Sequence, residues 1–86
     1  MAARGSKMIR VLFFGPIAAA TGEREVPVAH VPGMTLGNLK ESLAARYPDA
    51  MHLATMMAVN GEHVRDLSLL LADNSEVAFM AKFSGG

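Results

Sequence analysis

Five short segments of the chain are rich in β-branched, aromatic or alternating apolar residues, a pattern typical of strands. The predicted strands cover residues 9–14, 25–31, 56–59, 62–64 and 76–80. In the first strand, Ile9, Val11 and Phe13 share one face, because side chains alternate along a strand. Leu12 and Phe14 then point to the opposite face. Two faces with apolar side chains indicate a strand inside a sheet, with one face against the core.

Prolines, glycines and asparagines mark where these strands end or bend. Pro27 cannot donate a hydrogen bond to a neighbouring strand, so the second strand is predicted at an edge. Asn60-Gly61 lies between two β-forming segments and predicts a tight hairpin. Residues 49–54 are predicted as a loop or short turn. The apolar stretch 67–71 is predicted as a short helical turn or a buried crossover.

One segment has a clear helical period. Thr35 is a good N-cap, and the helix is predicted from Leu36 to about Tyr47, where Pro48 ends it. Four apolar residues, at positions 36, 39, 43 and 47, form a single stripe on this helix, whereas Lys40 lies off it. A second, single helical turn is expected over residues 16–21. The long helix therefore has one apolar face to bury.

One main helix cannot cover both faces of a sheet, so it is expected to pack across one face. The predicted fold class is α+β, a β-grasp (ubiquitin-like) fold with a mixed sheet of about five strands. The domain is expected to cover residues 8–80. Residues 1–7 are interpreted as a flexible segment or an expression remnant, and residues 81–86 as an extended tail.

Composition excludes several classes of protein. The chain has 86 residues, which fits one domain, and no cysteine, which rules out a disulfide scaffold or a thiolate site. Eight basic and eight acidic side chains leave no positive excess for binding nucleic acid. No apolar run is long enough to span a membrane, and residues 1–7 are polar and lack the apolar core of a signal peptide. A cytoplasmic location is expected.

The body of the chain shows no catalytic constellation. His30, His52 and His63 are far apart in sequence and lack metal-ligand spacing, so each is interpreted as a surface residue and no metal site is predicted. Asp66 and Asp73 fall in turns, where a carboxylate usually caps a backbone amide.

The C-terminus, Ser84-Gly85-Gly86, leaves two interpretations open from the residues alone. A Gly-Gly end can simply be a frayed terminus. Alternatively, two residues without side chains can pass down a narrow channel and present the terminal carboxylate to an enzyme. A carboxylate becomes an acyl donor only after activation, so adenylation followed by capture by a nucleophile is the expected chemistry.

Several segments together resemble one known family. They are residues 8–14, the main helix, 58–61, 73–79 and the terminal Gly-Gly, in that order. This pattern resembles the small subunit of molybdopterin synthase, MoaD, of the MoaD/ThiS family of ubiquitin-like sulfur carriers. The resemblance covers residues 8–86, and the strict C-terminal Gly-Gly is its most specific part.

The resemblance assigns roles to the tail. Gly86 would be adenylated by an activating enzyme that uses ATP, and a sulfur donor would convert it to a thiocarboxylate. Gly85 would be the slim penultimate position, and Phe83 and Ser84 would contact the channel of the large synthase subunit. Ala81 and Lys82 stand where relatives often carry prolines, so Lys82 would add charge and flexibility at the entrance. The chain would bring no catalytic side chain and bind no cofactor itself.

The second sheet face is the candidate partner surface. Leu12, Phe14 and Met80 are expected there, with Ala78, if Val77 and Phe79 point inward. Contiguous exposed apolar side chains suggest protein binding. The competing interpretation is that a loop, or a shifted register, covers them.

Three other functions share part of this pattern. A ubiquitin-like modifier would use the same activation but end on a target lysine. A sulfur carrier for thiazole synthesis or tRNA thiolation would change only the acceptor, although thiazole-type carriers are shorter between the first strand and the main helix. An inert binding module would make the Gly-Gly incidental.

Overall fold

The computed structural model describes residues 7–81. Its strands are β1 (Met8–Phe13), β2 (Glu25–Ala29), β3 (Met56–Val59), β4 (Glu62–His63) and β5 (Glu76–Met80). Its helices are α1 (Gly15–Thr21), α2 (Leu36–Arg46) and α3 (Pro48–Leu53). All five predicted strands are present, with bounds that differ by at most two residues from those expected.

The strands form one mixed sheet in the order β2-β1-β5-β3-β4. β1 and β5 are parallel, whereas β2 pairs with β1, and β3 with β4 and β5, in the antiparallel sense. β2 lies at an edge, as Pro27 predicts, because a residue without an N–H cannot serve a central strand. β5 is the central strand, so the C-terminal tail starts from the middle of the sheet.

The main helix lies against one face of this sheet. Thr35 and Asn38 form a reciprocal capping box: Thr35 Oγ1 accepts from the Asn38 N–H at 3.1 Å, and Asn38 Oδ1 accepts from the Thr35 N–H at 3.0 Å. The predicted stripe is buried at Leu36, Leu39 and Leu43. Lys40 is half-buried instead of fully exposed.

The core fills the space between the helices and the inward face of the sheet. Its sheet residues are Ile9, Val11, Phe13, Val26, Val77 and Phe79, and its helical residues include Ile17, Leu39, Leu43 and Met51. Tyr47 closes one end of the core with an edge-on contact to Phe13, at 5.6 Å between ring centroids. Val77 and Phe79 are both buried in this core, so their predicted inward direction is confirmed.

The Asn60-Gly61 hairpin is confirmed. Asn60 has φ 51° and Gly61 has φ 86°, so both central residues have the positive φ that a type I′ turn requires. This turn suits the right-handed twist of the two strands and fixes their register.

Two loop predictions were wrong. Residues 49–54 were expected as a loop or a short turn, but Pro48–Leu53 is a helix of six residues, because a proline that ends one helix can also start the next at its first position. The stretch 67–71 is neither helical nor a buried crossover. Leu67 and Leu70 are exposed, Leu71 is buried in the core, and Leu69 is partly buried against it.

The 67–71 loop is held by the start of α2. The N–H groups of Leu36 and Gly37 donate to the carbonyls of Leu69 and Leu67, at 2.9 and 2.8 Å. These donors have no partner inside the helix, so the loop supplies acceptors that the helix lacks. A Cβ on Gly37 would lie 3.1 Å from the Leu67 carbonyl oxygen, so any larger residue would force this loop to shift by a few tenths of an ångström.

His30 is not the surface residue that was expected. It is half-buried just after β2, with Nε2 2.7 Å from the carbonyl oxygen of Leu71.

The capping role of the two aspartates is confirmed: Asp66 accepts from the Ser68 N–H at 2.9 Å, and Asp73 from the Met8 N–H at 3.2 Å. Within residues 7–81, no helix is long and apolar enough to cross a bilayer.

Candidate functional site at the open sheet face

The sheet face turned away from the helices carries a strip of apolar side chains. Strand register places Leu12 opposite Ala78, and Ala78 opposite Ala58, so these three form one row across β1, β5 and β3. Met80 and Met56 form the next row. Leu12, Ala78, Met80 and Met56 are half-buried, and no helix of the described chain covers this face. We call these two rows together with Phe14 the open-face patch; its members are Leu12, Phe14, Met56, Ala58, Ala78 and Met80.

Phe14 is the most exposed member of the open-face patch. Its side chain is 48% exposed, although its backbone N–H still donates to the Phe79 carbonyl at 3.2 Å and so continues the pairing with β5. Phe14 and Leu12 line an open groove of about 540 Å³ together with Arg24 and Glu25. The predicted partner residues Leu12, Phe14 and Met80 therefore share one face, as expected.

Charged residues border the patch. Arg10 and Glu76, on neighbouring strands, form an ion pair of 2.9 Å, and both remain partly exposed. Such a pair contributes little to stability because water screens it.

The base of the C-terminal tail adjoins the patch. The Thr55 N–H donates to the Met80 carbonyl at 3.0 Å, and Ala81 is half-buried against the core. The chain is thus held through Ala81 and leaves the central strand beside Met80. The tail residues predicted to act, Lys82, Phe83, Ser84, Gly85 and Gly86, lie outside the described residues.

Two members of the patch were not predicted from the sequence. Ala58 and Met56 belong to it because of the β3–β5 register. The alternation along residues 56–59 was a visible signal, but which face each residue occupies depends on how β3 pairs with β5.

The arrangement of these elements defines a ubiquitin-like β-grasp protein: a mixed five-stranded sheet, a main helix across one face, and the last strand, β5, at the centre of the sheet. The model of the ThiS family matches residues 11–86. The chain belongs to this family.

Known proteins agree with this assignment. The chain is 36% identical over 83 residues to the molybdopterin synthase sulfur carrier subunit of Mycobacterium tuberculosis, covering 91% of this chain and 96% of that protein. Its structure is similar to small archaeal modifier protein 1 of Haloferax volcanii, with a TM-score of 0.77, 20% identity and coverage of 90% and 99%. It is also similar to a chain in the complex of subunits 1 and 2 of the molybdopterin-converting factor from Helicobacter pylori, with a TM-score of 0.70, 22% identity and coverage of 92% and 99%. At these identities, the two structures establish the fold.

Proposed function

We propose that this protein is the sulfur carrier subunit of a molybdopterin synthase, with its C-terminal Gly86 as the carrier group. The observation that carries the proposal is the 36% identity to a curated sulfur carrier subunit over nearly its full length. The family match extends to Gly86, so it includes the terminal Gly-Gly.

The chemistry takes place on the terminal carboxylate. An oxygen of that carboxylate attacks the α-phosphorus of ATP in an activating enzyme, pyrophosphate leaves, and an acyl-adenylate forms. Hydrosulfide (HS⁻) supplied by the donor then attacks the acyl carbon, AMP leaves with the electron pair of the broken C–O bond, and the thioacid loses its proton. The product is a thiocarboxylate, in which one oxygen of Gly86 has been replaced by sulfur. This chain supplies the acyl group, and the partner enzymes supply ATP and catalytic side chains.

The open-face patch is the proposed docking surface for the large synthase subunit. It is apolar, it has a charged border, and it adjoins the base of the tail. Five residues, 82–86, follow Ala81. Five extended residues span at most about 17 Å, so a partner bound on the patch must place its active site within that distance of Ala81.

Tail residues other than glycine are proposed to set the fit in the partner's channel. Phe83 and Ser84 contact its wall, and Lys82 lies at its entrance. Without proline at 81 and 82, the tail loses more conformational freedom on binding, which lowers affinity for a given set of contacts. A Lys82→Pro substitution is therefore expected to tighten binding, if the entrance does not use the charge of Lys82.

Reconstitution tests the proposal. The thiocarboxylated chain is mixed with its large subunit and the cyclic pterin precursor, and formation of the dithiolene product is followed. Product is expected with the intact chain and none with a chain lacking Gly86. Thiocarboxylate that is consumed by a thiazole-forming or tRNA-thiolating system instead, with no pterin product, would assign the carrier to another acceptor.

Cells that co-express the tagged chain with an activating enzyme and a sulfur donor can test the modifier function. A modifier would form isopeptide bonds between Gly86 and lysines, which appear as high-mass adducts of the tagged chain in a denaturing gel. We expect no such adducts under conditions that yield the thiocarboxylate. A cytoplasmic location follows from this proposal, because the precursor and ATP are used there.

A further inference from the structure

A second groove lies at the opposite edge of the sheet from β2. It encloses about 730 Å³ between β3, α2 and the segment that follows β4. β4 has only two residues, so on the side of β3 away from β5 the backbone pairing extends only as far as the Val64 N–H, which donates to the Met57 carbonyl at 3.1 Å. Met56, Met57, Val64 and Leu67 line this space, and Leu67 is 43% exposed. We call this space the edge groove.

The edge groove has an excess of positive charge. Lys40 and Arg65 line it, with His63 beside them. The only ion pair found within residues 7–81 joins Arg10 and Glu76, so no described carboxylate lies within 4.0 Å of either groove cation.

The one carboxylate that lines the edge groove is already engaged. Asp66 accepts hydrogen bonds from the Ser68 N–H at 2.9 Å and from Ser68 Oγ at 2.6 Å. These bonds lower the pKa of Asp66 by stabilising its charged form. Asp66 therefore stays ionised within the 66–68 turn. The groove is lined by two cations, Lys40 and Arg65, and this one anion, so it keeps a net positive charge for an outside anion.

We propose that the edge groove docks an extended acidic segment of a partner protein. The apolar side chains of that segment would pack on the floor formed by Met56 and Met57, and its carboxylates would lie against Lys40 and Arg65. Methionine suits such a floor because its flexible side chain adapts to varied apolar groups. The groove is continuous with the open-face patch, because Met56 belongs to both. A partner seated on the patch can thus extend an arm over this edge. The groove does not use Gly86, so its binding is separable from the proposed sulfur chemistry.

A short peptide serves as the probe. The full chain, labelled with ¹⁵N, is titrated with the capped peptide Glu-Glu-Leu-Ser-Leu-Glu-Glu at low ionic strength. Saturating amide shifts are expected at residues 56–57 and 64–67, and they should weaken as salt is added. The peptide with lysine in place of each glutamate is expected to cause no saturating shifts there.

Charge-reversal variants locate the binding energy. The double variant Lys40→Glu/Arg65→Glu is expected to weaken binding of the acidic peptide roughly tenfold, because two attractive charge pairs become repulsive. The matched control, Lys7→Glu/Arg24→Glu, makes the same change in net charge near the β2 edge and should alter the dissociation constant less than twofold. Lys40→Gln/Arg65→Gln, which only removes the charges, guards against misfolding and should weaken binding about threefold.

Three results would overturn the proposal. One is equal binding of the acidic and basic peptides. Another is an equal loss of affinity in the groove and control variants, which would indicate a net-charge effect. The third is an absence of saturating shifts at residues 56–57 and 64–67, including the case in which the shifts fall on the open-face patch. None of these results bears on the thiocarboxylate, because the probe does not involve the tail.

Discussion

Phe14 provides the sharpest test of the open-face patch as a docking surface. Its side chain is 48% exposed in the free domain. A phenylalanine can bury about 200 Å², so roughly 100 Å² remains for a partner to cover. At about 25 cal/mol per Å², full coverage is worth about 2.5 kcal/mol. That free energy corresponds to a roughly 50- to 100-fold change in the dissociation constant.

Phe14→Glu removes this apolar area and places a charge in the contact. We expect affinity for the large synthase subunit to fall at least tenfold, even if the partner covers only half of the remaining area. Isothermal titration calorimetry gives the dissociation constant, and thermal unfolding shows whether the domain is intact. The fold should tolerate the change, because the structural role of Phe14 is a backbone hydrogen bond to Phe79.

A matched control separates docking from general loss of apolar surface. Val31→Glu alters another exposed apolar residue, 58% exposed in the turn between β2 and α2, away from the open face. It should leave affinity for the large subunit within twofold of the unaltered protein. If Phe14→Glu also stays within twofold while unfolding at the same temperature, Phe14 is not in the interface and the assigned docking face is wrong.

Three further predictions concern the loops and caps that support this domain. Thr35→Ala should lower the free energy of unfolding by about 1 kcal/mol and the melting temperature by about 4–8 °C. Thr35→Ser keeps the capping hydroxyl and should change both quantities little. An equal loss in both variants would contradict the capping role. Gly37→Val should lower the free energy of unfolding by about 1–3 kcal/mol, because the new Cβ meets the Leu67 carbonyl, and the amide at position 37 should exchange its hydrogen faster. Unaltered hydrogen exchange and stability would show that the 67–71 loop moves without cost. The pKa of Asp66 should lie below its usual range in a carboxyl NMR titration and should rise in Ser68→Ala, which removes one of the two hydrogen bonds that lower it. The contribution of Asp66 to stability is then present above its unfolded pKa and is lost as the pH falls through its folded pKa. An equal Asp66 pKa in both proteins would show that the Ser68 hydroxyl does not lower it.

The strands and the main helix could be predicted because each depends on a local rule. Alternation placed Ile9 and Phe13 inward, Thr35 capped the helix, and Asn60-Gly61 closed the hairpin. Pro27 indicated an edge strand, and the sheet order places β2 there. These signals involve residues close together in sequence, so they do not require knowledge of the tertiary fold.

The errors occurred where distant segments decide the structure. Pro48 has two compatible roles, ending α2 and starting α3, and burial of Ala50 and Met51 favours the helix. The exposed 67–71 loop is fixed by the free N–H groups of α2, which no local pattern indicates. His30 is half-buried because its ring nitrogen Nε2 is held by the carbonyl oxygen of Leu71, which lies 41 residues further along the chain.

The candidate site divides in the same way. Leu12 and Phe14 were assigned to the open face from strand alternation alone, whereas Ala58 and Met56 required the β3–β5 register. The edge groove could not be predicted, because it arises from the short β4 and from Lys40 on a separate helix. The role of Gly86 rests on the chain's family and on its chemistry.

The central claim, that Gly86 carries sulfur, is tested most directly by intact mass. The chain is co-expressed with an activating enzyme and a sulfur donor, purified, and weighed by mass spectrometry. We predict a gain equal to the replacement of one oxygen by sulfur, and no gain in a chain that lacks Gly86. An unchanged mass, in cells that convert a control carrier, would contradict the account.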